Sequence, residues 1–119
     1  GARVAIAGEI LDSILGTLCD NARQHAGAQP QVTIRWRTDP QARQLLIDFS
    51  DNGPGISPGN AAKIFEPFFT TARERGGTGL GLSITRSLLA AHGGGIELLS
   101  QGTGAAFRLR VPLVMEPTL

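Results

Sequence analysis

The stretch from Ser50 to Leu82 sets two glycine clusters on either side of an aromatic block. It opens with Asp51-Asn52-Gly53-Pro54-Gly55, passes through Phe65-Glu66-Pro67-Phe68-Phe69-Thr70-Thr71, and closes with Gly76-Gly77-Thr78-Gly79-Leu80-Gly81-Leu82. Glycine accepts positive φ and lets a backbone come close to a ligand. The second cluster runs into an apolar, helix-like segment, Leu80 to Ala91. Backbone N–H groups at a helix N-terminus favour phosphate. One carboxylate, Asp51, stands at the entrance. The residue types fit a nucleotide site, with a carboxylate for the base and a glycine loop for the phosphates.

Length and composition narrow the classes. A chain of 119 residues has room for one domain with one core. Its apolar runs are too short to span a bilayer, and no signal peptide is visible. A net charge of +1 does not indicate a basic nucleic-acid surface. Cys19 is the single cysteine, which excludes an internal disulfide and fits a reducing compartment. Its neighbours at helical spacing, Leu11, Leu15 and Ala22, make it a small core residue. Gly1-Ala2-Arg3 reads as the cut edge of something longer.

Along the chain, Arg3 to Ile6 alternates like a short edge strand. From Glu9 the period becomes helical, with Ile10, Ile14 and Leu18 at i, i+4 and i+8, and Gly27 able to cap the end. Asp20 and Asn21 fall late in this helix, where a carboxylate gains nothing from the macrodipole, so at least one of them hints at function. Val32, Ile34 and Trp36 alternate with Thr33, Arg35 and Arg37, the pattern of a half-buried strand. Asp39-Pro40-Gln41-Ala42 is a turn, and Leu45, Ile47 and Phe49 mark the returning strand. Ser57-Pro58 predicts an N-cap and a short helix to about Phe65. Thr70 to Thr78 has no periodicity and reads as a mobile loop. A second long helix follows and stops at His92-Gly93-Gly94-Gly95. Ile96 and Leu98 form a strand, and Phe107, Leu109 and Val111 form the last one, ended by Pro112. Residues 113–119 read as a loose tail. The expected fold class is α/β, a two-layer sandwich of a mixed, mostly antiparallel sheet with about three helices on one face.

Neither glycine cluster is a P-loop, because no Gly-Lys-Ser/Thr follows, and neither has dinucleotide-fingerprint spacing. Their order along the chain is more specific. Asn21-Ala22 on a helix, then Asp51-x-Gly53-x-Gly55, Phe65-x-Pro67-Phe68, Gly77-x-Gly79-Leu80-Gly81-Leu82 and Gly102-Thr103 resembles the ATP-binding catalytic domain of sensor histidine kinases. That family belongs to a superfamily shared with type II topoisomerases, a heat-shock chaperone class and mismatch-repair ATPases. The resemblance runs from about Ile6 to Pro112 and implies the Bergerat ATP-binding fold, with ATP and Mg²⁺ as cofactors. It implies ATP contacts from Asn21, His25, Asp51, Gly53, Gly55, Ile56, Thr71, Gly77, Thr78, Gly79, Leu80, Gly81, Leu82 and Thr103. It further implies that Asn21 is catalytic as the Mg²⁺ ligand, and that His25 stacks on the adenine.

The chemistry stands beside the resemblance. An ionised carboxylate only accepts hydrogen bonds. Asp51 can accept from the adenine amino group, where guanine would present an oxygen. Asn21 offers the neutral oxygen that Mg²⁺ prefers. The bland alternatives are a turn-initiating Asp51, an exposed Asn21 and a His25 that caps a helix end. His92, at a helix C-terminus, takes the bland reading. Phe65, Phe68 and Phe69 serve as core, as the root of the lid, or as a contact for the partner helical domain, and sequence does not separate these roles. The family usually has an asparagine where Thr17 stands and often a basic residue where Gln24 stands, leaving Arg23, Lys63, Arg73 or Arg75 to supply charge.

The resemblance implies a partner as well: the helical dimerisation and phosphoacceptor domain of the same kinase, upstream of this chain, with a response regulator acting indirectly. Nucleic acid and direct membrane contact are not expected. The expected compartment is the cytoplasm, and the parent protein is compatible with an inner-membrane anchor. Two rivals are an anti-sigma-factor-type serine kinase and a degenerate domain that only docks a partner.

Overall fold

Alternating apolar residues build the sheet, and i, i+4 apolar residues build the helices that cover it. A computed structural model describes residues 2–4, 8–25, 31–53, 55–69, 79–99 and 104–115, with side chains over the same residues except 2–4, 24–25 and 114–115. The elements are β1 (Ala2–Val4), α1 (Gly8–His25), β2 (Val32–Asp39), β3 (Gln44–Asp51), α2 (Pro58–Ala61), α3 (Gly81–Ala91), β4 (Gly95–Leu98) and β5 (Ala106–Met115). The sheet runs β2–β3–β5, and β4 and β1 share the other edge of β5. Every described pairing is antiparallel, so the expected parallel component is not seen among these residues.

Register sorts the side chains onto two faces. Ile47 and Phe49 of β3, Leu109 and Phe107 of β5, and Ile96 and Leu98 of β4 lie in line across the strands. Ile14, Leu18 and Ala22 of α1 and Leu89 of α3 close over them, all at most 1% exposed. Cys19 lies beside this core, as expected. Burial of each large side chain contributes about 1.5–3 kcal/mol. The other face carries charge: Arg35, Asp48, Arg108 and Glu97 form one row across four strands.

Three boundaries differ from the sequence reading. Ser57 caps α2 by accepting from the Asn60 amide, as expected, but the helix ends at Ala61 rather than near Phe65. The amides of Lys63 and Glu66 bond only three residues back, to Asn60 and Lys63. Pro67 disfavours helical geometry at Glu66. β1 covers Ala2–Val4, one residue earlier than expected at its start, and residues 5–7 are outside the described set.

Pro112 does not end β5. It falls between the last β4 pair, Gly95–Arg110, and the first β1 pair, Val4–Leu113, where the ladder asks no N–H of it. Residues 113–115, expected to begin a loose tail, therefore continue the strand and pair with β1. The largest departure is β2, whose apolar residues are not buried: Trp36 is 72% exposed and Ile34 39%.

α3 ends in a Schellman turn. The Gly93 amide bonds the Ala90 carbonyl and the Gly94 amide bonds that of Leu89. Gly93 takes φ +81°, and a Cβ on Gly94 would lie 2.2 Å from the Arg110 carbonyl oxygen. Glycine there lets β4 start against β5 directly after the helix.

Arg108 grips Asp48 with two parallel bonds, Nε to Oδ1 at 2.8 Å and Nη2 to Oδ2 at 3.0 Å. These bonds hold the Asp48 carboxyl below its ordinary value of 3.8; partial burial opposes them, and the fields of Arg108 and Arg37 add to them. A depressed folded-state value means stability that is present above the ordinary value and lost as pH falls through the depressed one. The urea midpoint of the native chain should therefore exceed that of Asp48→Asn above the ordinary carboxyl value of 3.8, with the difference shrinking as pH falls through the depressed value. A difference that stays constant on acidification would contradict the role given to this pair.

Candidate nucleotide-binding site

Asp51 is the last residue of β3, and its carboxylate is divided between two tasks. Oδ1 accepts from the Gly53 amide at 2.9 Å and from the Ala105 amide at 3.1 Å. The Asp51 amide in turn donates to the Ala105 carbonyl at 2.9 Å. One oxygen thereby ties the end of β3 to the turn after it and to the residue before β5. Oδ2 takes no hydrogen bond from the described residues. The side chain is half-buried, so Oδ2 keeps its capacity to accept at the edge of the core.

Glycines make this elbow possible. Gly104 has φ +79°, and a Cβ there would stand 1.9 Å from the Asp51 carbonyl oxygen. Gly55, at φ +82°, comes within 3.2 Å of the Gly104 carbonyl oxygen in the same sense. Ile56, beside it, packs on the core. Gly104 and Ala105 were not singled out from the sequence. The signal was available, because Gly102-Thr103-Gly104 directly precedes the last apolar alternation.

A second wall comes from α1 and α3. A Cβ on Gly81 would meet Thr17 Cγ2 at 3.0 Å, so the start of α3 rests against the middle of α1. Asn21 lies one turn beyond Thr17 on the same side of α1, half-buried and next to the fully buried Ala22. The N-cap position of α3 is Leu80, which supplies no side-chain cap, and the first turn carries no acidic residue. The positive end of the dipole at such a helix start favours an anion. Leu82, in the same turn, packs partly on the core. Asp20 is occupied elsewhere, ion-paired with Arg23 on the exposed side of α1. That pairing also engages Arg23, one of the residues considered for the basic contact.

Gly79 joins the aromatic block to the helix start. Its carbonyl accepts from the Phe68 amide at 2.8 Å. At φ +78°, a Cβ on Gly79 would fall 2.3 Å from the Phe68 carbonyl carbon. Phe68 itself has φ 69°, a costly conformation for a bulky residue. The structure separates the three phenylalanines. Phe65 meets Phe107 edge-on at 6.3 Å and lies under the Arg86 guanidinium. Phe69 packs on the core, whereas Phe68 is 65% exposed. The expected lid, Thr70 to Thr78, lies outside the described residues, and so do Thr71, Gly77, Thr78 and Thr103. The side chain of His25, the last residue of α1, is also outside them.

The arrangement brings together Asp51, Gly53, Gly55 and Ile56 at one elbow, and Asn21, Gly79, Leu80, Gly81 and Leu82 where α1 meets α3. Comparison with known proteins agrees with this geometry. The family model for histidine kinase-, DNA gyrase B- and HSP90-like ATPases matches residues 7–115. The chain is 52% identical over 118 residues to the two-component sensor PprA of Pseudomonas aeruginosa, covering 93% of this chain and 13% of that protein. Among solved structures, the mycobacterial sensor histidine kinase MprB superposes with a TM-score of 0.79 at 27% identity, covering 93% of this chain and 77% of that one. Full-length ShkA in complex with AMPPNP superposes with a TM-score of 0.76 at 31% identity, covering 92% of this chain and 22% of that one. The chain spans 17% and 13% of the lengths of two further relatives, the alginate biosynthesis sensor KinB of Pseudomonas aeruginosa and the sensor KdpD of Escherichia coli. With its carboxylate elbow, its uncapped helix start and a family match across nearly its whole length, the chain belongs to the histidine kinase-, DNA gyrase B- and HSP90-like ATPases.

Proposed function

We propose that this chain is the ATP- and Mg²⁺-binding catalytic domain of a two-component sensor histidine kinase, delivering the γ-phosphate to a histidine on a separate helical domain. The divided carboxylate of Asp51 carries the reading. Oδ1 is fixed by two backbone amides, so Oδ2 is held ready to accept from the adenine amino group. The α3 amides face the phosphates, and Asn21 supplies an oxygen to Mg²⁺, which keeps several waters and shares phosphate oxygens. ATP supplies the transferable phosphoryl group. The chain's own work is orientation and charge stabilisation rather than covalent chemistry. This reading puts the domain in the cytoplasm, where ATP is available. No described helix is long and apolar enough to cross a membrane.

Docking of the helical domain falls to the exposed apolar residues beside the α3 start. Phe68 is 65% exposed and Ile84 52%. Both flank the Gly79–Gly81 segment, so a helix seated on them would bring its histidine towards the phosphate end of the site.

Three outcomes test the proposal. Asp51→Asn keeps an oxygen for the Gly53 and Ala105 amides but can turn an amino group toward the adenine amine, setting donor against donor. ADP affinity should fall about tenfold or more by calorimetry, since a hydrogen bond to a charged group is worth about 1.5–3 kcal/mol. The far-ultraviolet spectrum should stay native, and unchanged affinity would remove Asp51 from the site.

Phe68→Ala combined with Ile84→Ser should slow phosphotransfer to the helical domain at least about fivefold by raising its KM, at unchanged ADP affinity. Loss of ADP binding in that variant would instead make these residues part of the nucleotide site.

Incubated alone with radiolabelled ATP, this chain should remain unlabelled. His92 caps α3 and is followed by Gly93 at φ +81°, and His25 is assigned to the adenine end. Adding the helical domain should give acid-labile label on that partner. Acid-stable label on a serine would favour the serine-kinase rival.

A further inference from the structure

β2 is the last strand of the described sheet, and its outer edge pairs with no described strand. It is eight residues long, and all of them but Asp39 are exposed. Its two faces differ in chemistry. Val32, Ile34 and Trp36 stand on the side of the helical layer, at 36%, 39% and 72% exposure. Phe49 and Ile47, the cross-strand neighbours of Ile34 and Trp36, are buried, so the described helices cover β3 and stop short of β2. Thr33, Arg35 and Arg37 stand on the opposite side. Asp48, the register partner of Arg35, gives both carboxylate oxygens to Arg108. Neither Arg35 nor Arg37 makes a hydrogen bond or ion pair with the described residues.

Long, flat, apolar edges invite pairing with another strand, and proteins usually blunt them. Here the edge is left open on one face and carries two arginines on the other, with Thr33 before them and the acidic Asp39 only at the strand's end. We propose that β2 receives an extended segment of a partner protein, one that alternates acidic and apolar residues and adds to the sheet as a further strand. Its apolar residues would continue the layer of Trp36, Ile34 and Val32, and its carboxylates would lie opposite Arg35 and Arg37.

The same charges disfavour a second copy of this chain. The two antiparallel registers that overlap most while keeping like faces together set Arg35 opposite Arg35 or opposite Arg37 of the copy. Like charges directly opposite are destabilising. Single-stranded nucleic acid is a poorer fit, because Trp36 and the arginines project from opposite faces and no strand of bases can use both. The inference is independent of the nucleotide site, and the interaction should not depend on ADP.

The test uses the chain's own optics. Trp36 is the single tryptophan and the chain has no tyrosine, so its emission reports on this strand alone. An eight-residue peptide alternating Val and Glu should shift the emission to the blue and slow hydrogen exchange of amides within residues 32–39. The Val and Lys counterpart should bind about tenfold more weakly or worse. In Arg35→Gln combined with Arg37→Gln, the preference for the Glu peptide should fall to about twofold or less, with Trp36 emission of the free protein unchanged. The peptide pair tests the native chain in its own right, whatever the stability of that variant. Equal binding of the two peptides, binding of neither, concentration-dependent dimerisation in sedimentation that buries Trp36, or a matching blue shift with a single-stranded oligonucleotide would each overturn the proposal.

Discussion

The structure turns on the hydrogen bonds that Asp51 Oδ1 accepts from Gly53 and Ala105. They join three pieces of chain separated by up to 54 positions: the end of β3, the turn after it, and the start of β5. A carboxylate accepting backbone amides makes strong, charge-assisted bonds. The approach is so close that a side chain at position 104 would collide with the Asp51 carbonyl. One residue therefore does structural work with one oxygen, while its other oxygen takes no hydrogen bond from the described residues. A loop could not hold that second oxygen so well, because it would lack the β3–β5 ladder behind it.

The two faces of the sheet explain why the site sits where it does. The inner face, from Ile96 through Leu109 to Ile47, is closed by α1 and α3. Those helices meet where Thr17 touches Gly81, and there the uncapped start of α3 faces the Asn21 side of α1. The outer face needs no helical cover, because its row of Arg35, Asp48, Arg108 and Glu97 alternates in sign and stays solvated. The start of α3 and the Asp51 carboxylate, to which the proposed function gives the phosphates and the adenine, thus both border the helical layer at the ends of rigid elements.

Much of this was legible in the residues. The i, i+4, i+8 spacing of Ile10, Ile14 and Leu18 marked the inward stripe of α1, of which Ile14 and Leu18 are fully buried and Ile10 partly so, and Ser57-Pro58 marked the start of α2. The strand alternations fixed which residues of β3 and β5 face inward. What failed was whatever depended on tertiary context. Val32, Ile34 and Trp36 alternate like a half-buried strand, but burial requires a layer above them, and the described helices end over β3. Pro112 reads as a strand end only until β4 and β1 are seen to divide one edge of β5 between them. Phe65, Phe68 and Phe69 could not be ranked by sequence because a positive φ at Phe68 turns it away from its neighbours. For the site, the glycines were visible, but Gly79 and Gly104 owe their identity to backbones at Phe68 and Asp51 that are distant in sequence. Thr71, Gly77, Thr78, Thr103 and the His25 side chain remain expectations of the motif series.

Base discrimination tests the central claim most directly. With Oδ1 fixed by backbone amides, Oδ2 can only accept, and adenine offers it an amino group where guanine offers an oxygen. Calorimetric titration of the chain with MgADP and with MgGDP compares the two at equal phosphate charge. MgADP should bind at least about tenfold more tightly than MgGDP, the margin expected when a half-buried charged acceptor is matched in one ligand and opposed in the other. Equal affinities, or binding of neither, would contradict adenine recognition by Asp51.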